Sequence, residues 1–384
     1  MNRTELPAES PPLAGLTVQA FLKHHWQQQP LLIRQAIPDI VPLVEANRLC
    51  QMACDEGVES RLITAFRGRW DLQHGPFESG DLPPLSRKRW TLLVQGVDLH
   101  LDTAHQLLDA FRFVPDARLD DLMISLASDQ GGVGPHVDAY DVFLLQIWGR
   151  RRWRIAPPGD NSLKPGLPLK ILERFEPSDE WVLEPGDMLY LPPGWGHDGI
   201  AEGPCMTASI GFRAPSRREF LREFLLAAAD DIGGNDPRFA DPRRKPCGAH
   251  PAQIPTDLHR RLASWARDWR PEPEAIERFI GRFLTEPKPS VWFESRPLPL
   301  TTKLIRRASR SGLRLNRRSR MLYREKILFI NGEDFDFEPR TFDWLCALAD
   351  QRRLTPAQCE VAFKESEFVE TVRAWLGHEW IDFA

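Results

Sequence analysis

The chain has 384 residues, of which 42% are hydrophobic and 27% charged, so it is long enough for two or three domains with substantial cores. Its formal net charge of −4 excludes an overall affinity for polyanions, although a local basic patch stays open. The cysteines are scattered and form no CxxC pair. No stretch approaches the roughly 18 apolar residues of a membrane span, and none resembles the apolar core of a signal peptide. We therefore expect a cytoplasmic protein with reduced thiols and no membrane contact.

The first predicted region, residues 1–215, is rich in short apolar runs bounded by glycine and proline, which indicate β-strands. Two helical patches, near 17–28 and 102–112, interrupt these runs. We therefore predict a β-sandwich or barrel with helical decoration. The predicted strands are PLLIRQAI, RWTLLVQGV, LDDLMISLA, YDVFLLQIWG, RRRWRIAPP, EWVLEPGDMLYLPPGW and CMTASIGFRAP.

The second predicted region, residues 216–285, is helical. The segment SRREFLREFLLAAADDIG spaces its apolar residues by three and four, with Ser216 as its N-cap. After a loop, GGNDPRFADPRRKPCGAHP, the segments TDLHRRLASWARDWR and PEAIERFIGRFLTE predict two more helices. Because such helices expose apolar faces that another surface must cover, we predict a homodimer formed here; the alternative is a simple connector between domains.

The third predicted region, residues 286–384, mixes helix and strand. The segment SRMLYREKILFINGEDFDFE predicts a hairpin with Asn331-Gly332 as its turn. The segments FDWLCALADQRR and TPAQCEVAF follow as helices, before FVETVRAWLGHEWIDFA closes the chain. Helices combined with a β wing predict a winged-helix-like domain.

A basic segment lies at the start of this third region. From Lys303 to Lys326 the chain carries ten Lys or Arg residues and one Glu. Such a run indicates a contact with a polyanion such as RNA, or a solvated face of the domain. The sequence leaves both interpretations open.

The segment GPHVDAYDVFLLQIWGRRRWRI, residues 134–155, contains a candidate metal site. His136 and Asp138 lie two residues apart, so on a β-strand their side chains share one face. The glycines of the preceding loop would let backbone approach a substrate closely. The third ligand should come from another strand, and His197 is the best candidate because it follows the strand MLYLPPG in a glycine-rich turn.

Two histidines and one carboxylate leave three coordination positions open. This set suits a non-haem Fe(II) site that holds both a co-substrate and dioxygen. A structural zinc site would close its coordination and would normally use cysteines. In the remaining interpretation, His136 is a hydrogen-bonded polar group at the end of a strand.

The arginines that follow suggest the co-substrate. On a strand beginning near Gly149, Arg150, Arg151 and Arg152 alternate faces, so Arg151 can point inward while its neighbours point to solvent. A buried guanidinium needs a carboxylate partner, which a dicarboxylate ligand can supply through a bidentate pair. The combination fits 2-oxoglutarate, with one end on the metal and the far carboxylate on Arg151.

Three segments carry a resemblance to a known family: GPHVDAYDVFLLQIWGRRRWRI, EPGDMLYLPPGWGHDG and SIGFRAP. Together they resemble the JmjC-type 2-oxoglutarate oxygenases of the cupin superfamily, and among these the bacterial ribosomal oxygenases. Those enzymes hydroxylate an arginine of the large-subunit ribosomal protein L-sixteen. The resemblance extends over nearly the whole chain. It implies a mixed α and β fold: a double-stranded β-helix barrel (residues 1–215), a helical dimerisation region (216–285) and a winged-helix-like C-terminal domain (286–384).

The resemblance also implies roles for individual residues. It gives His136, Asp138 and His197 as ligands of Fe(II), and Arg151 as the clamp for 2-oxoglutarate. Ser125, on the strand before the glycine-rich loop, matches a position that lines the co-substrate pocket. Thr207 occupies a similar place where relatives can carry an amide. The residues named bind the metal and the co-substrate, and no protein nucleophile or general base is implied.

The implied function is a protein hydroxylase that uses Fe(II), 2-oxoglutarate and O₂, with a large-subunit ribosomal protein as substrate. Two alternatives keep the shared chemistry and change the target: histidyl hydroxylation of another protein, or lysine demethylation. A third alternative is a non-catalytic, cupin-like protein that binds ribosomes. The metal and co-substrate residues do not discriminate between the substrates.

Overall fold

The computed structural model describes residues 11–78, 80–230, 238–242, 244, 252–298 and 300–384. Within this part of the chain, the N-terminal region is built on one ten-stranded antiparallel sheet with three helices packed beside it. The helices are α1 (Val18–His24), α2 (Ala46–Met52) and α3 (Asp102–Asp109). The strands are β1 (Leu31–Ile33), β2 (Ser60–Phe66), β3 (Arg69–His74), β4 (Trp90–Val94), β5 (Leu119–Ala127), β6 (His136–Val137), β7 (Val142–Ala156), β8 (Asp179–Leu183), β9 (Met188–Leu191) and β10 (Gly196–Phe212).

The long strands β5, β7 and β10 form the centre of this sheet. The strand order is β1-β9-β7-β10-β5-β4-β2-β3, with β6 also paired to β10 and β8 to β7. One face of the sheet packs on the helices through an aromatic cluster that includes Phe21, Phe143 and Tyr190, with the rings of Phe21 and Tyr190 5.0 Å apart. The central strands are therefore held rigidly, and they carry the site described below.

The two runs YDVFLLQIWG and RRRWRIAPP, predicted as separate strands, form the single strand β7. The prediction of a break was wrong because Gly149, at φ +63°, bends the strand without ending it. A Cβ at this position would lie 2.3 Å from the carbonyl oxygen of Pro204, so the pairing with β10 needs glycine here. The register shifts between Glu202 and Met206 and again between Met206 and Thr207, and it is regular from Arg150 onward.

The hairpin of β2 and β3 was not predicted. Its turn is Arg67-Gly68, with φ values of 49° and 78°. The strand β3, at the edge of the sheet, is mostly exposed and carries charged residues, which protect an edge against pairing with other chains. The segment therefore lacks the apolar run that signalled the other strands.

The helical region contains α4 (Arg217–Asp230), α5 (Thr256–Asp268) and α6 (Pro273–Thr285). Ser216 caps α4 as predicted: its hydroxyl accepts from the backbone N–H of Glu219 at 3.1 Å. The last residues of the first predicted helix, and most of the loop predicted over 233–251, lie outside the described residues. The helix α6 packs on the C-terminal domain, where a Cβ at Gly281 would lie 2.2 Å from the ring of Phe329.

The C-terminal region forms two three-stranded sheets, β15-β11-β16 and β12-β13-β14, with four helices. The Asn331-Gly332 turn is confirmed, with φ values of 51° and 84° and Ile330 paired to Glu333. The predicted hairpin is a three-stranded meander, because a second turn at Glu325 precedes it. The elements are α7 (Thr301–Ser311), β11 (Leu313–Leu315), β12 (Met321–Arg324), β13 (Ile327–Ile330), β14 (Glu333–Asp336), α8 (Pro339–Gln351), β15 (Arg353–Leu354), α9 (Pro356–Ala362), α10 (Ser366–Gly377) and β16 (Ile381–Phe383).

Polar contacts join the C-terminal region to the N-terminal sheet. Arg320 donates to the backbone carbonyl of Asp120 at 2.7 Å, and Arg112 donates to that of Asp350 at 2.8 Å.

Among the described helices, none is long and apolar enough to cross a membrane. The predicted domain division, after residues 215 and 285, stays a prediction.

Candidate metal centre

The two predicted histidine ligands lie directly opposite each other on adjacent antiparallel strands. His136 of β6 is the register partner of His197 of β10, so both side chains project from the same face. Their ring centroids are 4.2 Å apart. Asp138 follows β6, and its Oδ2 lies 3.6 Å from Nε2 of His197. One potential ligand atom from each of the three residues lies within 4.8 Å of the other two, which is close enough for all three to reach one metal ion.

The backbone orients both imidazole rings. Nδ1 of His136 lies 2.9 Å from the carbonyl oxygen of Gly134, and Nδ1 of His197 lies 3.1 Å from that of Trp195. Because a carbonyl oxygen only accepts, Nδ1 carries the proton in each ring and Nε2 keeps its lone pair. Burial, and then the neighbouring ring of His136, lowers the pKa of His197 to about 4. The ring is therefore neutral at neutral pH, which is the form that binds metals.

The side chain of Arg151 points into the same cavity, as strand alternation predicted. The residue is only 4% exposed, whereas Arg150 is exposed and Arg152 is half-buried. Its Nη1 donates to the hydroxyl of Ser125 at 3.0 Å. Its Nε and Nη2 are buried and find no hydrogen-bond partner among the described residues. A buried guanidinium with two free donors matches a carboxylate ligand in charge and in geometry.

The side chains of Ser125 and Thr207 have different surroundings, although the resemblance implied that both line the co-substrate pocket. They are register partners on β5 and β10. Ser125 lines the cavity beside Arg151. The hydroxyl of Thr207 instead donates to Oε1 of Gln146 at 2.8 Å, and Thr207 is not among the residues that line the cavity. The structure therefore does not bring the Thr207 side chain to the site; its carbonyl accepts from the Ser125 hydroxyl at 3.4 Å and so supports that side chain.

One cavity of about 420 Å³ contains the three candidate ligands, Arg151 and Ser125. This volume lies in the range of small-molecule sites, roughly 300–1,000 Å³. Two further residues on the face of β5 that carries Ser125, Asp121 and Met123, line the cavity and were missed from the sequence. The period of a strand could have found them, since they lie four and two residues before Ser125 and therefore share its face.

Charged side chains from two parts of the chain meet at the mouth of the cavity. Nζ of Lys288, after α6, lies 3.0 Å from Oδ2 of Asp121 and 3.3 Å from Oδ1 of Asp120. Nη2 of Arg320, from the C-terminal domain, lies 3.2 Å from the same oxygen of Asp120. Tyr140 also lines the cavity, and burial raises the pKa of its hydroxyl, which therefore stays protonated. Sequence patterns gave no signal for Lys288 or Arg320, because they reach the site only through the tertiary structure.

The glycines before His136 have a role within the fold. A Cβ at Gly131 would lie 2.3 Å from the carbonyl oxygen of Trp90, and a Cβ at Gly132 would lie 2.6 Å from that of Gly199. These positions need glycine because the loop packs tightly on β4 and β10. The sequence predicted that these glycines let the backbone approach a substrate closely. In the structure, the atoms that they approach closely belong to neighbouring strands.

Comparisons with known proteins agree with this fold and site. Residues 106–220 match the family model described as a JmjC domain, and residues 262–382 match the model described as a ROXA-like winged helix. Both matches confirm the predicted fold class: a JmjC/cupin-type sheet with helices and a C-terminal winged-helix domain.

Relatives of known name or structure cover nearly the whole chain. The chain is 34% identical to the "Ribosomal protein uL16 3-hydroxylase" of Escherichia coli over 361 residues, which is 92% of this chain and 94% of the relative. It is 37% identical to a "Probable ribosomal oxygenase" of Haemophilus influenzae over 205 residues, 52% of this chain and 50% of that relative. The solved structure of E. coli YcfD superposes with a TM-score of 0.82 at 32% identity, covering 97% of this chain and 99% of that one. The chain therefore belongs to the ribosomal oxygenase family of JmjC-domain proteins.

Proposed function

We propose that this chain is an Fe(II)- and 2-oxoglutarate-dependent hydroxylase that acts in the cytoplasm on an arginine side chain of a large-subunit ribosomal protein. The E. coli relative is named for hydroxylation of the ribosomal protein uL16, and a YcfD structure with a TM-score of 0.79 is described as a complex with cobalt and 2-oxoglutarate. The observation in this chain that carries the proposal is the shared cavity of the His136, Asp138 and His197 cluster and the incompletely paired Arg151.

The donor set fits a divalent first-row metal. His136 and His197 offer neutral imidazole nitrogens and Asp138 offers a carboxylate oxygen, which is the ligand combination of non-haem Fe(II) oxygenases. The hydrogen bonds from Nδ1 to backbone carbonyls fix the ring orientation before a metal arrives. These three residues would hold the metal.

The far side of the cavity fits a dicarboxylate. The two unpaired donors of Arg151 can bind one carboxylate group, and the Ser125 hydroxyl holds the guanidinium in place by accepting from its Nη1. Arg151 also lies over the ring of Trp153, with 5.7 Å from Cζ to the ring centroid, which limits the conformations of the guanidinium. The metal ligands and Arg151 line the same cavity, so they can bind opposite ends of one small molecule.

When bound, Fe(II) and 2-oxoglutarate supply together with O₂ the oxidising power for C–H hydroxylation, and 2-oxoglutarate leaves as succinate and carbon dioxide. The residues of this chain bind and orient the reacting groups, and the apolar part of the cavity wall, including Leu144 and Met123, excludes water.

The choice of arginine over histidine or methylated lysine rests on the resemblance to the bacterial ribosomal oxygenases. The two carboxylates at the mouth of the cavity, those of Asp120 and Asp121, are already paired with Lys288 and Arg320, so their charge does not distinguish between these targets.

The function is tested by mass spectrometry of ribosomal proteins from cells with and without the gene. We expect one arginine of a large-subunit protein to gain the mass of one oxygen atom only when the gene is present. The purified protein, given Fe(II) and 2-oxoglutarate anaerobically, should release succinate on admission of oxygen. Oxygen gained by a histidine, or loss of a methyl group from lysine, would show that the target is not arginine. Absence of succinate would support the non-catalytic alternative.

We also propose that the protein forms a homodimer through α4 and α5. Leu225 and Leu226 of α4 are 53% and 58% exposed, and Leu262 of α5 is 48% exposed. Exposed apolar side chains in one region of a protein indicate a surface that another molecule covers. A second copy of the chain, related by two-fold symmetry, would cover both helices at once.

Charged side chains introduced on α4 and α5 should separate the subunits of the dimer. Replacing both Leu225 and Leu262 with Glu should give a monomer at about 10 µM in sedimentation, because each dimer interface would bury charged side chains against apolar ones. As the control, Leu163→Glu changes a leucine of similar exposure, 44%, in the N-terminal region and should leave the assembly unchanged. A monomeric wild-type protein, or a double variant that still dimerises, would contradict the proposal.

A further inference from the structure

The tertiary structure separates nine of the ten cations of the basic segment 303–326 into two groups, and the exposed Lys326 belongs to neither. One group is neutralised within the protein: Arg317 pairs with Asp102 at 2.6 Å, and Arg318 with Glu379 at 2.9 Å. Arg320 and Arg324 likewise pair with carboxylates. These arginines hold the C-terminal domain together or join it to its neighbours, and carboxylates within the protein already balance their charges.

The second group is exposed and lacks carboxylate partners. Lys303, Arg306, Arg307 and Arg310 occupy positions i, i+3, i+4 and i+7 of α7, which place them on one helix face opposite the buried Leu304 and Ala308. No carboxylate of the described residues forms an ion pair with them or with the exposed Arg314 and Arg353. We call these cations the α7 patch: Lys303, Arg306, Arg307, Arg310, Arg314 and Arg353.

The strands next to α7 extend the patch. Arg314 of β11 and Arg353 of β15 are register partners, so their side chains project side by side from the same face. The other register partner of Arg314 is Asp382, whose carboxylate accepts from the amide of Asn316 at 3.0 Å. Arg307 lies over the ring of Phe383 on β16, with 4.1 Å from Cζ to the centroid, which joins helix and sheet into one basic surface.

This arrangement is unfavourable for the isolated protein. Like charges three and four residues apart on a helix repel each other, and so do like charges directly opposite each other on paired strands. Lys303 also lies in the first turn of α7, which contains no acidic residue, and there the helix dipole disfavours a cation. Apart from the contact of Arg307 with the ring of Phe383, packing among the described residues gives no reason for these cations, whereas an anionic partner would relieve the repulsion.

We propose that the α7 patch binds the phosphate backbone of structured RNA. This inference rests on the proposed function in one respect: a substrate that belongs to the large ribosomal subunit brings the enzyme close to ribosomal RNA. Five of the six cations are arginines, whose planar guanidinium suits phosphate oxygens. The side chains of the patch are all cationic, so contacts with phosphate and not base-specific recognition are expected.

The test measures binding of the full-length protein to a labelled RNA duplex of arbitrary sequence and about 16 base pairs, the length that a double-stranded RNA-binding domain spans. Fluorescence anisotropy over about 50–200 mM salt gives both the affinity and its salt dependence. The triple variant Arg306→Ala, Arg310→Ala and Arg314→Ala should bind on the order of 100-fold more weakly at about 0.1 M salt, and its log–log salt slope should be smaller by about three. All three side chains are exposed, so folding should be unaffected.

A matched control removes the same charge elsewhere. Arg67, Arg69 and Arg87 are also exposed, and their triple alanine variant should keep wild-type affinity for the duplex. Equal losses in both variants, or no binding by the wild-type protein, would overturn the proposal. Preferential binding of the patch to phosphatidylglycerol vesicles would likewise overturn it in favour of a lipid surface. Hydroxylation of a free substrate peptide should be unchanged in the patch variant, so its outcome reports on the proposed function independently of RNA binding.

Discussion

Replacement of His136 or Asp138 by Ala is expected to abolish hydroxylation and to lower Fe(II) affinity by more than about 100-fold. Each replacement removes an atom that would bind the metal directly, whereas loss of even an outer-shell partner typically costs about 10- to 100-fold. The two variants should stay folded, because both side chains are half-buried at the cavity and neither belongs to the hydrophobic core. Anaerobic metal titration and succinate release measure the two effects separately.

A carboxylate outside the cavity provides the matched control. Asp129 lies in the loop that precedes the glycines and pairs with Lys88 at 2.7 Å. Asp129→Ala should bind Fe(II) and turn over like the wild-type protein. Wild-type metal affinity in either ligand variant would exclude the assignment of that residue as a ligand.

The Arg151→Ala variant is expected to bind 2-oxoglutarate roughly 10- to 150-fold more weakly, because a charge-assisted contact contributes on the order of 1.5–3 kcal/mol. Fe(II) affinity should be nearly unchanged, since the candidate ligands come from β6, β10 and the residue after β6. Arg151→Lys should have a milder effect, because the charge survives while the planar fork is lost. Isothermal titration of 2-oxoglutarate into the metal-loaded proteins measures these affinities.

The neighbouring arginines are controls on the register of the strand. Arg150 forms a 2.7 Å ion pair with Glu202, and Arg152 pairs with Glu180 and Glu202 on the outer face. Their alanine variants should keep 2-oxoglutarate affinity, since exposed ion pairs contribute little and lie away from the cavity. A large loss in either variant would show that the inward position is misassigned, and three unaffected variants would exclude the dicarboxylate site.

Much of the site could be predicted because its signals are local. Covalent geometry makes residues two apart on a strand share a face, so the sequence predicted the shared face of His136 and Asp138 and the opposite directions of Arg151 and its two neighbours. The same rule, applied to β5, would have added Asp121 and Met123. Local rules failed at Gly149, where they predicted a break between two strands. Glycine is compatible with both a turn and a bulge within a strand, and the pairing of β7 with β10 decides between them.

By itself, the sequence determined the positions of most strands and helices, the Asn331-Gly332 turn, and which side chains of each strand share a face, because these depend on neighbours along the chain. The tertiary structure decided which strands meet. It placed His136 opposite His197, engaged Thr207 with Gln146 away from the cavity, and paired Arg320 with an aspartate 200 residues earlier in the chain. It also separated the paired arginines of the basic segment from the unpaired ones, because a charge is neutralised only by the carboxylates that long-range packing brings within reach.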